Sequence, residues 1–77
     1  MGTRAFILIE TQVGRSRQVA EELRSLTGVI SADVVTGSFD IIALIQTTDM
    51  TAMADLVTGG VQGIRGVLRT ITCVAAG

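Results

Sequence analysis

Two stretches of this chain, Leu8-Ile9-Glu10-Thr11 and Leu44-Ile45-Gln46-Thr47, are near copies, and each opens into a segment with helical periodicity. Each helical segment then closes on Gly-Val, at Gly28-Val29 in the first half and Gly66-Val67 in the second. A strand–helix–strand unit written twice leaves few topologies open. It predicts strands over residues 4–10, 29–35, 40–47 and 67–74, with helices over 16–26 and 50–64.

That order, βαββαβ, is the ferredoxin-like arrangement of the α+β class: a four-stranded antiparallel sheet with two helices on one face. The first helix carries Val19, Ala20, Leu23 and Leu26 along one stripe, with Ser16 as the expected N-cap and Gly28 as the expected C′ residue. In the second, Met53, Leu56, Val57, Gly60, Val61 and Ile64 recur at three- and four-residue steps, and Thr48 or Asp49 can cap its start. Gly59-Gly60 is a local conflict there, costing about 1 kcal/mol per glycine relative to alanine. Either the helix ends early or a close neighbour needs the missing side chains. Met50 and Met53 read as core or interface filler.

Ala5-Phe6-Ile7-Leu8-Ile9 and Ile41-Ile42-Ala43-Leu44-Ile45 are apolar at every position. A half-exposed antiparallel strand alternates, and these do not. They are the central strands of the expected sheet, and the right-handed crossovers put both helices on one side of them. The other side then needs a cover, most simply a second copy packed sheet against sheet. The strands over 29–35 and 67–74 are mixed, with Ser31, Asp33, Arg69, Thr70 and Thr72, as edge strands are.

With 77 residues the chain is one domain, residues 1–77, of a size at which a core is marginal alone. Yet 48% of it is hydrophobic and its mean hydropathy is +0.59. No apolar run approaches the roughly 20 residues of a membrane span. No signal-peptide or myristoylation pattern is read at the start, and the lone Cys73 excludes an internal disulfide, so a cytoplasmic protein is expected. Cys73 itself reads as a small buried hydrophobe. Six arginines against seven acids leave a net charge of −1. Arg15, Arg17 and Arg24 alternate with Glu21 and Glu22 and make no basic stripe, so direct nucleic-acid binding is not expected.

The turn Thr36-Gly37-Ser38-Phe39-Asp40 joins the second and third strands. Gly37 supplies a positive φ, while Phe39 and Asp40 set a ring and an anion beside backbone amides that a ligand can use. Glu10 reads as a solvated strand end. The chain holds no histidine, tyrosine or tryptophan, its acids are scattered, and no spacing suggests a metal site. Neither catalysis nor a cofactor is therefore expected.

Together, Arg4-Ala5-Phe6-Ile7-Leu8-Ile9, Leu26-Thr27-Gly28-Val29, Val35-Thr36-Gly37-Ser38-Phe39-Asp40 and Gly66-Val67-Leu68-Arg69-Thr70-Ile71-Thr72 resemble one family. It is the effector-binding (RAM) domain of the Lrp/AsnC transcriptional regulators, here in stand-alone form without the DNA-binding half. The resemblance implies a dimeric α/β barrel, assembled into rings of dimers such as an octamer or decamer. It also implies that amino acids or similar small effectors bind between the dimers. It further implies ligand contacts at Gly37, Ser38, Phe39 and Asp40, with Thr70 and Thr72 nearby, and full-length regulators as partners. Two alternatives stay open: a small dimeric α/β-barrel enzyme of the isomerase or monooxygenase kind, and a purely structural co-assembly module.

Overall fold

The computed structural model describes residues 2–77. Strands β1 (Thr3–Thr11), β2 (Val29–Val34), β3 (Ile41–Thr47) and β4 (Val67–Val74) form one antiparallel sheet in the order β2-β3-β1-β4. Helix α1 (Ser16–Arg24) links β1 to β2, and α2 (Met50–Asp55) with the π-helical segment Leu56–Val61 links β3 to β4. The ferredoxin-like order holds, with β1 and β3 at the centre.

Register fixes what each face carries. Ala5, Ile7 and Ile9 of β1 lie opposite Ile45, Ala43 and Ile41 of β3, and all six are fully buried. Val19, Ala20 and Leu23 from α1, with Met53, Val57 and Val61 from the second crossover, close over them as one core. Burying each large side chain stabilises by about 1.5–3 kcal/mol.

The centre of the other face is made of two cross-strand rows: Asp33, Ile42, Leu8 and Ile71, then Ser31, Leu44, Phe6 and Cys73. Phe6 is 43% exposed, Ile42 37% and Ile71 40%, so the apolar centre of this face lies open in the single chain. Cys73 corrects the expectation of a buried thiol. It pairs with Phe6 on the open face and is exposed.

Other boundaries shift for local reasons. Helix α1 stops at Arg24 rather than residue 26, and Arg24 turns back to donate from Nε (3.0 Å) and Nη2 (2.6 Å) to the Ala32 carbonyl of edge strand β2. The N-cap is Arg15, which makes no side-chain cap bond, and Ser16 is the first helical residue. Because Ser25 is the C-cap, Gly28 is not the C′ residue but closes the following turn at φ +100°. Asp49 does cap α2, its carboxylate accepting the Ala52 N–H at 2.8 Å. The second helix neither stops at Gly59-Gly60 nor runs on as α: it widens to a π turn, with the Gln62 N–H donating to the Val57 carbonyl. Met53 is core, while Met50 is 53% exposed.

Gly66 has to be glycine. It sits at φ +103°, and a Cβ there would lie 3.1 Å from Val19 Cγ2 and 3.3 Å from Arg15 Cβ. Its carbonyl accepts the Gln12 N–H at 2.8 Å, tying the start of β4 to the β1–α1 loop.

Candidate functional site

The last β1–β3 register pair at the loop end of the sheet is Ile9 with Ile41. Beyond it the chain forms a loop over residues 35–40, longer than the tight turn expected, with β3 starting at Ile41 rather than residue 40. The Val35 N–H donates to the Asp40 carbonyl at 2.8 Å, and the Asp40 N–H donates to the Ile9 carbonyl at 2.9 Å. Those two bonds pin the loop's base and leave its tip outward. Gly37 has φ +150°, so the positive φ expected of it is present, and Thr36, Gly37 and Ser38 are exposed. Among the described residues, the N–H groups of Thr36, Gly37, Ser38 and Phe39 have no acceptor.

Asp40 carries more than a turn. Its Oδ2 accepts the Thr11 N–H at 2.8 Å and the Thr11 hydroxyl at 3.3 Å. Thr11 Oγ1 lies 2.9 Å from Ser16 Oγ. With the Thr11 hydroxyl committed to the carboxylate, Ser16 is the donor to it, and a chain of three groups runs from the first turn of α1 to Asp40. The physical cause lies in the strand ends. Thr11 lies past the last β3 partner, so the Asp40 carboxylate accepts an N–H that no strand backbone reaches. Thr11 is 6% exposed, and leaving its N–H unpaired there would be costly. The second carboxylate oxygen, Oδ1, accepts nothing from the described residues.

Phe39 is half-buried, with the Arg69 guanidinium of β4 lying 5.6 Å from its ring centroid. Arg69 sits opposite Glu10 in register, on the sheet face away from the helices, where Glu10 is half-buried rather than solvated. Thr70 and Thr72 sit opposite Ile9 and Ile7, on the helix side. The structure thus gathers Gly37, Ser38, Phe39 and Asp40 in one loop but leaves both threonines on the other face from the Phe39–Arg69 contact. Thr70 accepts a hydrogen bond from Gln62 Nε2 at 3.0 Å and, with Gln62, Val67, Leu68 and Arg69, lines a shallow concavity of about 340 Å³. Thr72 lies further along the strand, exposed.

Three participants escaped sequence reasoning. Thr11 closes the first near-copy, yet nothing in the repeat signals a buried hydroxyl. Arg69 is out of phase with the threonines that drew attention, and that phase is what aims it at Phe39. Gln62 follows the π turn, a feature that helical periodicity does not register.

In chemical terms the loop end presents acceptors and donors together: an outward carboxylate oxygen, open backbone amides and a cation held against a ring. That set suits a small zwitterion. Among the described residues no cluster of three His, Cys, Asp or Glu side chains is placed to hold a metal ion. Among the described residues no helix is long and apolar enough to cross a membrane.

The family described as the Lrp/AsnC ligand binding domain matches residues 4–76. This chain belongs to it. An uncharacterised HTH-type transcriptional regulator of Pyrococcus abyssi is 31% identical over 97% of the chain, which covers 52% of that regulator. The chain therefore spans about half the length of the curated relatives it matches. A solved structure from Thermus thermophilus is 34% identical with a TM-score of 0.90, covering 95% of this chain and 91% of that one. A Neisseria meningitidis transcriptional regulator solved as a complex with L-Met shares the fold, at 23% identity and a TM-score of 0.86. It covers 97% of this chain and 50% of that one.

Proposed function

We propose that this Lrp/AsnC ligand-binding domain is a cytoplasmic effector module that binds an amino acid at the loop of residues 35–40 without turning it over. The observation that carries the reading is the loop tip itself: amides of residues 36–39 with no acceptor, beside an Asp40 whose Oδ1 faces no donor. Asp40 Oδ1 takes the ammonium, and the loop amides take the polar groups at the other end; Thr70 and Thr72, which the resemblance also pointed to, lie on the helix side of β4 and are left out of this site. The L-Met complex of the Neisseria meningitidis relative supports an amino acid as the ligand class.

The open sheet face supports a homodimer packed face to face, closing the dimeric α/β barrel, because apolar patches of several hundred Å² seldom stay exposed on a stable monomer. Dimers then associate into rings, and full-length regulators of the same family are the partners with which the module co-assembles. A thermal-shift screen of the standard L-amino acids, run beside mass measurement in solution, tests the reading. A ligand at a hundredfold above Kd stabilises by about 2.7 kcal/mol. Each kcal/mol moves the midpoint by about 4–8 °C in a domain this small, so an effector stands clear of the others. A flat screen refutes amino-acid binding.

A further inference from the structure

We infer that Arg69, rather than the strand threonines, is the β4 group that receives the carboxylate of the bound amino acid, an inference that rests on the proposed effector site. Three of the other arginines donate elsewhere. Arg4 donates to the Gly77 carbonyl at 3.3 Å, Arg15 to Gln18 Oε1 at 3.0 Å, and Arg24 to the Ala32 carbonyl. Arg17 belongs to α1, and Arg65 to the turn before β4. Arg69 meets the loop through the ring of the residue next to Asp40.

The Phe39 face restrains a long side chain that would otherwise sample many rotamers, which lowers the entropy cost of using it. Among the described residues its guanidinium donates to no oxygen, and Glu10, its register partner, forms no ion pair with it. The planar fork is therefore available for a bidentate carboxylate contact. Phe39, on which the guanidinium lies, is the chain neighbour of Asp40, so the cation is anchored to the same loop that carries the carboxylate. Thr70 points to the opposite face and already accepts from Gln62.

The test uses the intact protein, the standard L-amino acid giving the largest thermal shift, and the α-amide of that amino acid. Calorimetry on wild type, Arg69→Lys and Arg69→Met is expected to show the acid weakened about tenfold or more by Arg69→Met, with Arg69→Lys in between. The α-amide is expected to bind wild type weakly and to lose nothing further in Arg69→Met. Arg69 lies on the face proposed to meet the second copy, so sedimentation and melting of each unliganded variant are compared with wild type before affinities are read. Undiminished binding of the acid to Arg69→Met overturns the inference. So does an equal loss for acid and amide, which assigns Arg69 to support of Phe39. Wild type that binds no standard amino acid removes the effector site and this inference with it, whereas a failure of Arg69 alone leaves wild-type binding intact.

Discussion

The two faces of this sheet are built from the same kinds of side chain and have opposite fates. On one, Ala5, Ile7, Ile9, Ile41, Ala43 and Ile45 vanish beneath two crossovers. On the other, Phe6, Leu8, Ile42, Leu44 and Ile71 form an equally apolar field with neither helical crossover over it. A single domain of this size has helices enough for one layer only. Retaining isoleucine and leucine on the uncovered side is the observation behind the face-to-face dimer proposed above.

The widest separation between the faces is expected from one charge moved by one residue. Ile7→Asp buries a carboxylate in the core and should leave no cooperative melting transition. Leu8→Asp, its neighbour on the open face, should stay folded and become monomeric. Circular dichroism melts beside sedimentation read both outcomes. A wild type that is monomeric at micromolar concentration breaks the comparison, because the open face would then need no cover.

Truncation sharpens the same contrast. Ile7→Ala should cost about 2–5 kcal/mol, as large-to-small changes in a closed core do. Ile42→Ala, at 37% exposure, should cost well under half of that in a Leu8→Asp background, where dimer burial is removed. Denaturant titrations of both variants give the numbers. Equal costs would mean that the open face is packed within the chain after all.

Polar chemistry at the loop end produces a smaller effect of a different kind. Asp40→Ala leaves the Thr11 N–H without its 2.8 Å acceptor and should cost about 1–3 kcal/mol of stability. Asp40→Asn keeps an oxygen for that N–H and should recover most of the stability while losing affinity for an ammonium. Melting midpoints with and without the best amino acid separate the two roles. An Asp40→Asn protein that binds as tightly as wild type would confine Asp40 to holding the end of β1.

The fold was legible because its signals are redundant. Strand order, the β4 boundaries and the apolar central strands each follow from composition and period, and register only decides which alternate residue faces which way. The site was less so, because it depends on where strands stop. Nothing in Gly37-Ser38-Phe39-Asp40 announces that β1 outruns β3 and that a carboxylate must fill the gap at Thr11. Likewise, Thr70 and Thr72 look like partners of the loop until register sets them beside Ile9 and Ile7 and turns Arg69 toward Phe39. Cys73 was misplaced by the same cause, since the open face hosts apolar residues without burying them.

The smallest expected effect probes the layer that covers the closed face, where the π turn is its irregular part. Neither Gly59 nor Gly60 needs a positive φ, so glycine is retained at each for space or not at all. A Cβ on Gly59 meets nothing within 4 Å, whereas one on Gly60 comes within 3.1 Å of Leu56 Cδ1 and 3.4 Å of Leu26 Cδ1. Gly59→Ala should therefore stabilise by about 0.5–1 kcal/mol through the unfolded chain's lost freedom. Gly60→Ala collects the same entropic gain but must displace two leucine ends that seal α1 against the second crossover, so it should be neutral or slightly destabilising. Thermal melts resolve a difference of this size as a few degrees. Equal stabilisation by both would show that the helix layer is loose at the π turn, and the contrast between a sealed face and an unfinished one would narrow to the strands alone.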